Sequence, residues 1–291
     1  MKNNTALYAN RWRPSLLRHL LLGAGLFLAL FVLLAPRAQA AGFPTVPLTQ
    51  DGRAVLDGQS YLIEGVTYVP FRAFCELQGC GTVGWDAASR TAYAVTKNGT
   101  HIYAHADGAL YIRYGERYFY TTSPVRLVND RLYIPIRPLA KCFGLDVAWS
   151  AKTRSVALQS TGGSVRDDVG VYASDELYWL ARIIQAEAGG ESLKGKLAVG
   201  NVVLNRVASP IFPNSIHGVL AQKNQFSTYK GGKLANRTPN EGSVIAAKLV
   251  LDGGVVEEVE NALWFDAKCS NSWAARHKTC LAVIGGHKFY G

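Results

Sequence analysis

The sequence predicts an α+β chain: a small, β-rich N-terminal α+β domain with an internal repeat, followed by a mainly α C-terminal domain. Three observations carry this. Residues 44–158 hold short alternating apolar segments separated by Gly and Asn/Asp turns, the pattern of short strands. Within them Tyr68-Val69-Pro70-Phe71-Arg72 is echoed by Tyr133-Ile134-Pro135-Ile136-Arg137, and Trp85 with Arg90 by Trp149 with Arg154. From Ser174 onward apolar residues recur at helical spacing.

At 291 residues the chain has room for roughly two domains. Its 48% hydrophobic content excludes a wholly disordered polymer. The formal charge of +10 points less to nucleic acid than it first suggests, because residues 1–40 hold Lys2, Arg11, Arg13, Arg18 and Arg37 and no acid. Without these five, 26 basic and 21 acidic residues remain, an excess of +5 that suits an acidic surface equally well.

Residues 1–40 read as an export signal. A basic stretch ends at Arg18, the run Leu20 to Ala35 is uncharged, and Ala38-Gln39-Ala40 supplies a small-x-small cleavage site. The run is short of the ~20 residues of a permanent span, so cleavage is expected after Ala40, with an uncleaved anchor as the alternative. Exported, the protein works outside the cytoplasm, with no membrane span after cleavage. Five cysteines then leave an odd thiol. Cys269 and Cys280 are close enough to close a short loop around Trp273, whereas Cys75 and Cys142 sit in apolar helical stretches as buried thiols. The chain has no CxxC pair, HExxH or GxSxG, and neither metal nor cofactor is expected.

In residues 41–158 each copy reads as a strand, a Pro-started helix, a strand ending at Trp, a turn and a further strand. Ile102 to Tyr120, rich in Tyr, Ile and Phe, forms a meander between the copies. His101 and His105 share one side of a strand, but two histidines without a third ligand read as hydrogen-bonded imidazoles. Arg72 and Arg137 read as helix-start arginines bonding their own sheet. The repeated Tyr-Val-Pro-x-Arg and Trp-Asp pattern resembles the copper amine oxidase N-terminal-like stalk domain of exported bacterial proteins. That name implies no copper here. Residues 159–173, polar and Gly-rich, are the linker.

Residues 174–291 carry the chemistry. Ser174 is the expected N-cap, with Asp175 and Glu176 at the positive end of the helix dipole. Leu177, Leu180, Ala181 and Ile184 form one apolar stripe, and the next step of that spacing lands on Glu187, just before Gly189-Gly190. A carboxyl taken out of water disfavours its ionised form and can act as a proton donor near neutral pH. On position alone, a surface Glu at a frayed helix end fits equally well. A second helix over Ser192–Val207 offers Leu197, Val203, Leu204 and Val207 to the core, and Asn205-Arg206 to brace a neighbouring loop. Gln225-Phe226-Ser227 is a loop whose amide and hydroxyl suit a sugar's N-acetyl and hydroxyl groups, with Phe226 as anchor. Asn240 to Leu251 is a further helix, and the tail is dense in aromatics, Trp273 among them as a platform for sugar rings. His287 reads first as a structural histidine and second as part of the active-site floor.

Gln185-Ala186-Glu187-Ala188 with Gly190-Glu191, Val202-Val203-Leu204-Asn205-Arg206-Val207, Gln225-Phe226-Ser227 and Gly286-His287-x-Phe289-Tyr290 together resemble the cell wall hydrolase family of the spore cortex-lytic enzyme SleB. The resemblance implies a lysozyme-like catalytic domain that cleaves peptidoglycan glycan strands as a lytic transglycosylase in spore germination, with Glu187 the catalytic acid. Gly189 stands where the family usually has Arg, and a stalk domain replaces the family's usual peptidoglycan-binding module. A two-carboxyl glycosidase would draw its second acid from Glu191, Glu241 or Asp266, with Glu191 also suited to capping the second helix. A transglycosylase needs Glu187 alone, with Gln225 and Ser227 positioning the sugar. The competing readings are a water-using muramidase and a non-catalytic wall-binding protein. The sequence does not specify an oligomeric state.

Overall fold

The computed structural model describes residues 42–223, 225–268 and 271–291. The export segment and the Cys269 end of the expected disulfide lie outside the described residues. No helix among the described residues is long and apolar enough to cross a membrane. The chain is mixed α and β, with a β-rich part over residues 48–160 and a helical part after it, each around its own apolar cluster.

In the β-rich part, β4 (Val66–Pro70) and β11 (Arg131–Pro135) lie side by side, antiparallel, with Val69 opposite Ile134. Each runs straight into a helix, α1 (Phe71–Leu77) and α2 (Ile136–Lys141). Pro70 and Pro135 fit that junction because a helix start has no use for their missing N–H. Just inside each helix an arginine reaches back to a strand. Arg72 Nη1 donates to Val83 O (2.8 Å) and Arg137 Nη1 to Val147 O (3.2 Å), structural bonds as expected, but each to a strand of another sheet and not to the sheet that leads into its helix. The hairpins β3 (Tyr61–Ile63) with β4 and β10 (Arg126–Val128) with β11 complete this sheet. A second sheet places β1 (Leu48–Gln50) between β2 (Arg53–Val55) and β13 (Ser155–Ser160), with β12 (Leu145–Ser150) outermost. Because β1 pairs in parallel with β13, the two ends of this region are tied together. The expected meander over Ile102 to Tyr120 holds β7 (His101–His105), β8 (Tyr111–Tyr114) and β9 (Arg117–Tyr120), and β5 (Thr82–Asp86) and β6 (Thr91–Val95), read from the sequence as strands of the first copy, join it in one five-stranded sheet. Cys75 and Cys142 are buried as expected. A hydrogen bond between the Cys75 and Cys80 thiols pushes Cys75 up and pulls Cys80 down from the ordinary thiol range.

In the helical part, α3 (Ser174–Ala188), α4 (Leu193–Ala208) and α6 (Glu241–Leu251) pack on one another, with α5 (Ile216–Ala221) against α3 and α4. Leu180, Ala181 and Ile184 are buried as their spacing predicts. Gly200 lets α4 approach closely, since a Cβ there would lie 3.0 Å from Val250 and 3.1 Å from Ile184. Three expectations need correction. Ala173, not Ser174, is the N-cap of α3, and it makes no side-chain cap bond; Ser174 is already helical. Leu204 and Val207 are only half-buried. The tail adds a three-stranded antiparallel sheet of β14 (Trp264–Ala267), β16 (His287–Tyr290) and β15 (Cys280–Ile284), preceded by the short α7 (Trp273–His277).

Residues 159–173 do not run free between the two parts. Glu116 N donates to Asp167 O (2.8 Å), Tyr114 Oη to Val165 O (3.3 Å), and Thr100 Oγ1 bonds the Asp167 carboxylate. The β-rich part then rests on the helices, with β9 against α6. Arg117 donates through Nε (3.0 Å) and Nη2 to Asp252 Oδ1, and Tyr172 Oη donates to Asp252 Oδ2 (2.5 Å). The Asp252 side chain is 2% exposed, so its charge depends on these donors. Burial and the Asp252 bond push the Tyr172 phenol up. Beside them Lys248 Nζ donates to Glu116 O (3.0 Å) and Glu116 Oε2 (3.2 Å). Arg117→Ala strands the Asp252 carboxylate, and thermal unfolding should register a loss of about 3 kcal/mol, the cost of breaking a buried pair. An unchanged midpoint would show that water replaces the guanidinium.

Candidate active site

Glu187 stands in the last turn of α3, half-buried, and its Oε1 accepts a 2.9 Å hydrogen bond from Thr228 Oγ1. The wall facing the carboxylate thus includes a hydroxyl, where the apolar stripe alone suggests only greasy neighbours. The Gln185 side chain, two residues earlier, sets the neighbouring helix. Its Oε1 accepts from Asn240 N (2.9 Å) and Ser243 Oγ (3.0 Å), fixing the start of α6 against α3. The turn after α3 is held by Lys196, whose Nζ donates to Gly189 O (2.9 Å) and Glu191 O (2.5 Å). Burial lowers the Lys196 ammonium from its ordinary value, partly offset by the nearby Glu191 charge.

Thr228 belongs to a 3-10 turn, Ser227–Gly232, entered from Phe226. Phe226 is buried and anchors the loop as expected, with the Phe265 ring 6.3 Å away and the Arg206 guanidinium 5.2 Å from its centroid. Arg206 also donates to Leu263 O (2.7 Å), while Asn205 Nδ2 donates to Val259 O (3.2 Å) and Ala262 O (2.9 Å). The Asn205-Arg206 pair therefore braces the chain leading into β14. Burial pulls Arg206 down to about 10. Gln225 and Ser227 are exposed on this loop, and it is Thr228 that touches the carboxylate. Spacing gave no signal for Thr228, because the contact joins residues 41 apart.

Glu191 behaves differently from its expected capping role. Ser192 caps α4 by accepting from Gly195 N (3.3 Å), leaving the Glu191 side chain to face the tail hairpin. Its Oε1 accepts from Gly286 N (3.2 Å) and lies 3.8 Å from His287 Nδ1. His287 is packed beside Phe265 (5.6 Å) and Phe289 (6.2 Å), with Nδ1 buried and making no hydrogen bond among the described residues. Trp273 is 52% exposed at the start of α7, with His277 stacked on it at 5.1 Å and Trp264 at 6.1 Å. In the β-rich part His105 Nδ1 pairs with Thr91 Oγ1 (2.8 Å). Among the described residues no three His, Cys, Asp or Glu side chains group as metal ligands.

Comparison with known proteins places these features in two domain classes. Residues 190–290 match the family described as Cell Wall Hydrolase, and residues 49–158 match the Copper amine oxidase N-terminal domain. The similarity is thus to a cell wall hydrolase domain behind a copper amine oxidase N-terminal domain; Glu187 falls just ahead of the hydrolase span. Similar relatives are the spore cortex-lytic enzyme of Bacillus subtilis (strain 168), 36% identical over 142 residues, 49% of this chain and 43% of that protein. The spore cortex-lytic enzyme of Bacillus cereus is 37% identical over 120 residues, 40% of this chain and 45% of that protein. The chain spans less than half the length of these curated relatives. Among solved structures, the catalytic domain of the germination-specific lytic transglycosylase SleB from Bacillus anthracis is 30% identical, with a TM-score of 0.37, over 41% of this chain and 97% of that one.

Gly285 has a positive φ of 57°, and a Cβ there would lie 1.8 Å from Glu191 Oε2. Gly285→Ala should therefore cost more than the ~1–2 kcal/mol of left-handed backbone strain. Gly231→Ala, with φ 66° and open space around it, should cost that strain alone. Equal shifts in the two unfolding midpoints would mean that Glu191 swings aside freely.

Proposed function

We propose that this protein cleaves the glycan strands of peptidoglycan as a lytic transglycosylase, with Glu187 as acid and then base. One observation carries the reading: a half-buried carboxylate at a helix end, held by Thr228, while the acid nearest in sequence, Glu191, is engaged by Gly286 and lies beside His287. The kinship with spore cortex-lytic enzymes supports the substrate class.

In the first step Glu187 donates its proton to the glycosidic oxygen as the C1–O bond breaks. The resulting carboxylate then takes the proton from the sugar's own 6-hydroxyl, whose oxygen closes on C1 to give a 1,6-anhydro end. The proton returned to Glu187 readies it for the next bond, so a single carboxyl suffices. Thr228 donates to the carboxylate and fixes its orientation without touching the reacting atoms. Exposed Gln225 and Ser227 offer amide and hydroxyl groups to the sugar's N-acetyl and hydroxyl substituents, with Phe226 holding their loop. The protein is read as exported to the envelope, with spore cortex the polymer that its relatives' names suggest.

Glu187→Gln should reduce clearing of purified sacculi by about 10²–10⁴-fold, the range for a lost general acid. Mass spectrometry of wild-type products should show 1,6-anhydro ends. Reducing ends would establish the water-using muramidase, with Glu191 the first candidate for its second carboxyl; equal clearing by both proteins would remove Glu187 as the catalytic acid, and clearing by neither would leave only wall binding.

Thr228→Val keeps the shape but removes the hydrogen bond. Turnover should fall about tenfold, corresponding to ~1.4 kcal/mol, with KM little changed. Thr228→Ser should restore it; failure of Ser to rescue would assign Thr228 to packing.

A further inference from the structure

Along α3 from Glu187, toward the helix start, lies an aromatic group that the cleavage chemistry leaves unused. The Trp179 ring meets Tyr178 (5.0 Å, nearly perpendicular), His217 (5.1 Å) and Tyr229 (5.9 Å). Tyr229 Oη pairs with His217 Nε2 at 2.9 Å, locking the two rings. Trp179 and Tyr229 form one wall of an open cavity of about 500 Å³, and Gly231, Gly232, Leu234 and Ala235 form the rest. Gly231 and Gly232 both adopt positive φ and bring no side chain into the space. The far wall is fixed, since Ala235 O accepts from Tyr178 Oη (3.0 Å) and Arg182 Nε (3.2 Å), and the Arg182 guanidinium lies 3.5 Å from the Tyr178 ring centroid.

We infer that this cavity is a saccharide subsite, in which the Trp179 and Tyr229 rings hold a sugar of the glycan strand at a distance from the bond being cut. The inference rests on the glycan-cleaving reading of Glu187 and adds the residues that grip the strand beyond it. Two observations tie the cavity to the carboxylate. Tyr229 directly follows Thr228, whose hydroxyl bonds Glu187. Trp179 precedes Glu187 by eight residues on one straight helix, about 12 Å at 1.5 Å per residue, too far for the sugar undergoing cleavage. The lining selects the ligand's chemistry. Among its described lining residues there is no acid or base, so it suits the uncharged C–H face of a pyranose over the charged stem peptide. Bare glycine opposite leaves room for the ring to lie against the aromatics. Strand held here contributes binding that helps seat the scissile bond at Glu187.

The test uses the full chain carrying Glu187→Gln, so that binding is measured without turnover. Peptide-free glycan strands are titrated by calorimetry, and free stem peptide in parallel. Adding Trp179→Ala should weaken glycan binding roughly 2- to 10-fold, the span of a lost aromatic stacking contact, with Trp179→Phe recovering part of it. Ala235→Phe, which fills the cavity from the other wall, should weaken it as well and covers the case in which Trp179→Ala fails to fold. In proteins with Glu187 intact, Trp179→Phe should raise KM on long strands more than it lowers kcat. Glycan binding unaffected by either the Trp179 or the Ala235 change overturns the subsite, as does stem peptide binding that depends on Trp179. Glycan binding that depends on Trp179 in a wild-type protein without cleavage activity would instead retain the subsite and remove the catalytic reading.

Discussion

Helix α3 spends one set of residues on two tasks, and the rest of the helical part follows from that constraint. Its apolar stripe must be buried to hold α4 and α6 together, yet the same stripe ends on a carboxylate that the proposed chemistry needs reachable. The conflict is resolved at the helix end. Lys196 ties the turn at Gly189 and Glu191, Gln185 fixes the start of α6, and Thr228 meets Glu187 from a loop anchored by Phe226. Each support comes from a different segment, so the carboxylate's position is over-determined although it is only half-buried.

Much of this was legible in the sequence because it follows local periods. The stripe Leu180, Ala181, Ile184 and the glycine stop at 189–190 are helical spacing, and the Pro-started helices after β4 and β11 follow from proline's missing N–H. What escaped has no period. Thr228 lies 41 residues from its partner, and nothing in a Ser-Thr-Tyr run distinguishes the residue that meets the carboxylate from its neighbours. Glu191 had a plausible capping position, but Ser192 took the cap, and the crowding against Gly285 and Gly286 arises only once the tail pairs as a hairpin. The tail's strands were obscured because its aromatics read mostly as core, with one or two as a platform, and neither reading specifies a strand.

The contact between β9 and α6 was the least readable feature. Arg117 and Asp252 are 135 residues apart, and the polar, Gly-rich segment between the two parts read only as a linker. Composition reports what a chain does when nothing holds it. Here Thr100, Tyr114 and Glu116 supply donors along the connector's second half, and backbone that could have been solvated is used as packing.

Under the proposed function, that seam has a mechanical meaning for work on an insoluble polymer. With Asp252 gripped by Arg117 on one side and Tyr172 on the other, the β-rich part is a handle rigidly fixed to the tool. Whatever holds the handle also sets the angle at which the cutting edge meets a cross-linked mesh. Only strands lying within that fixed sweep are then in reach.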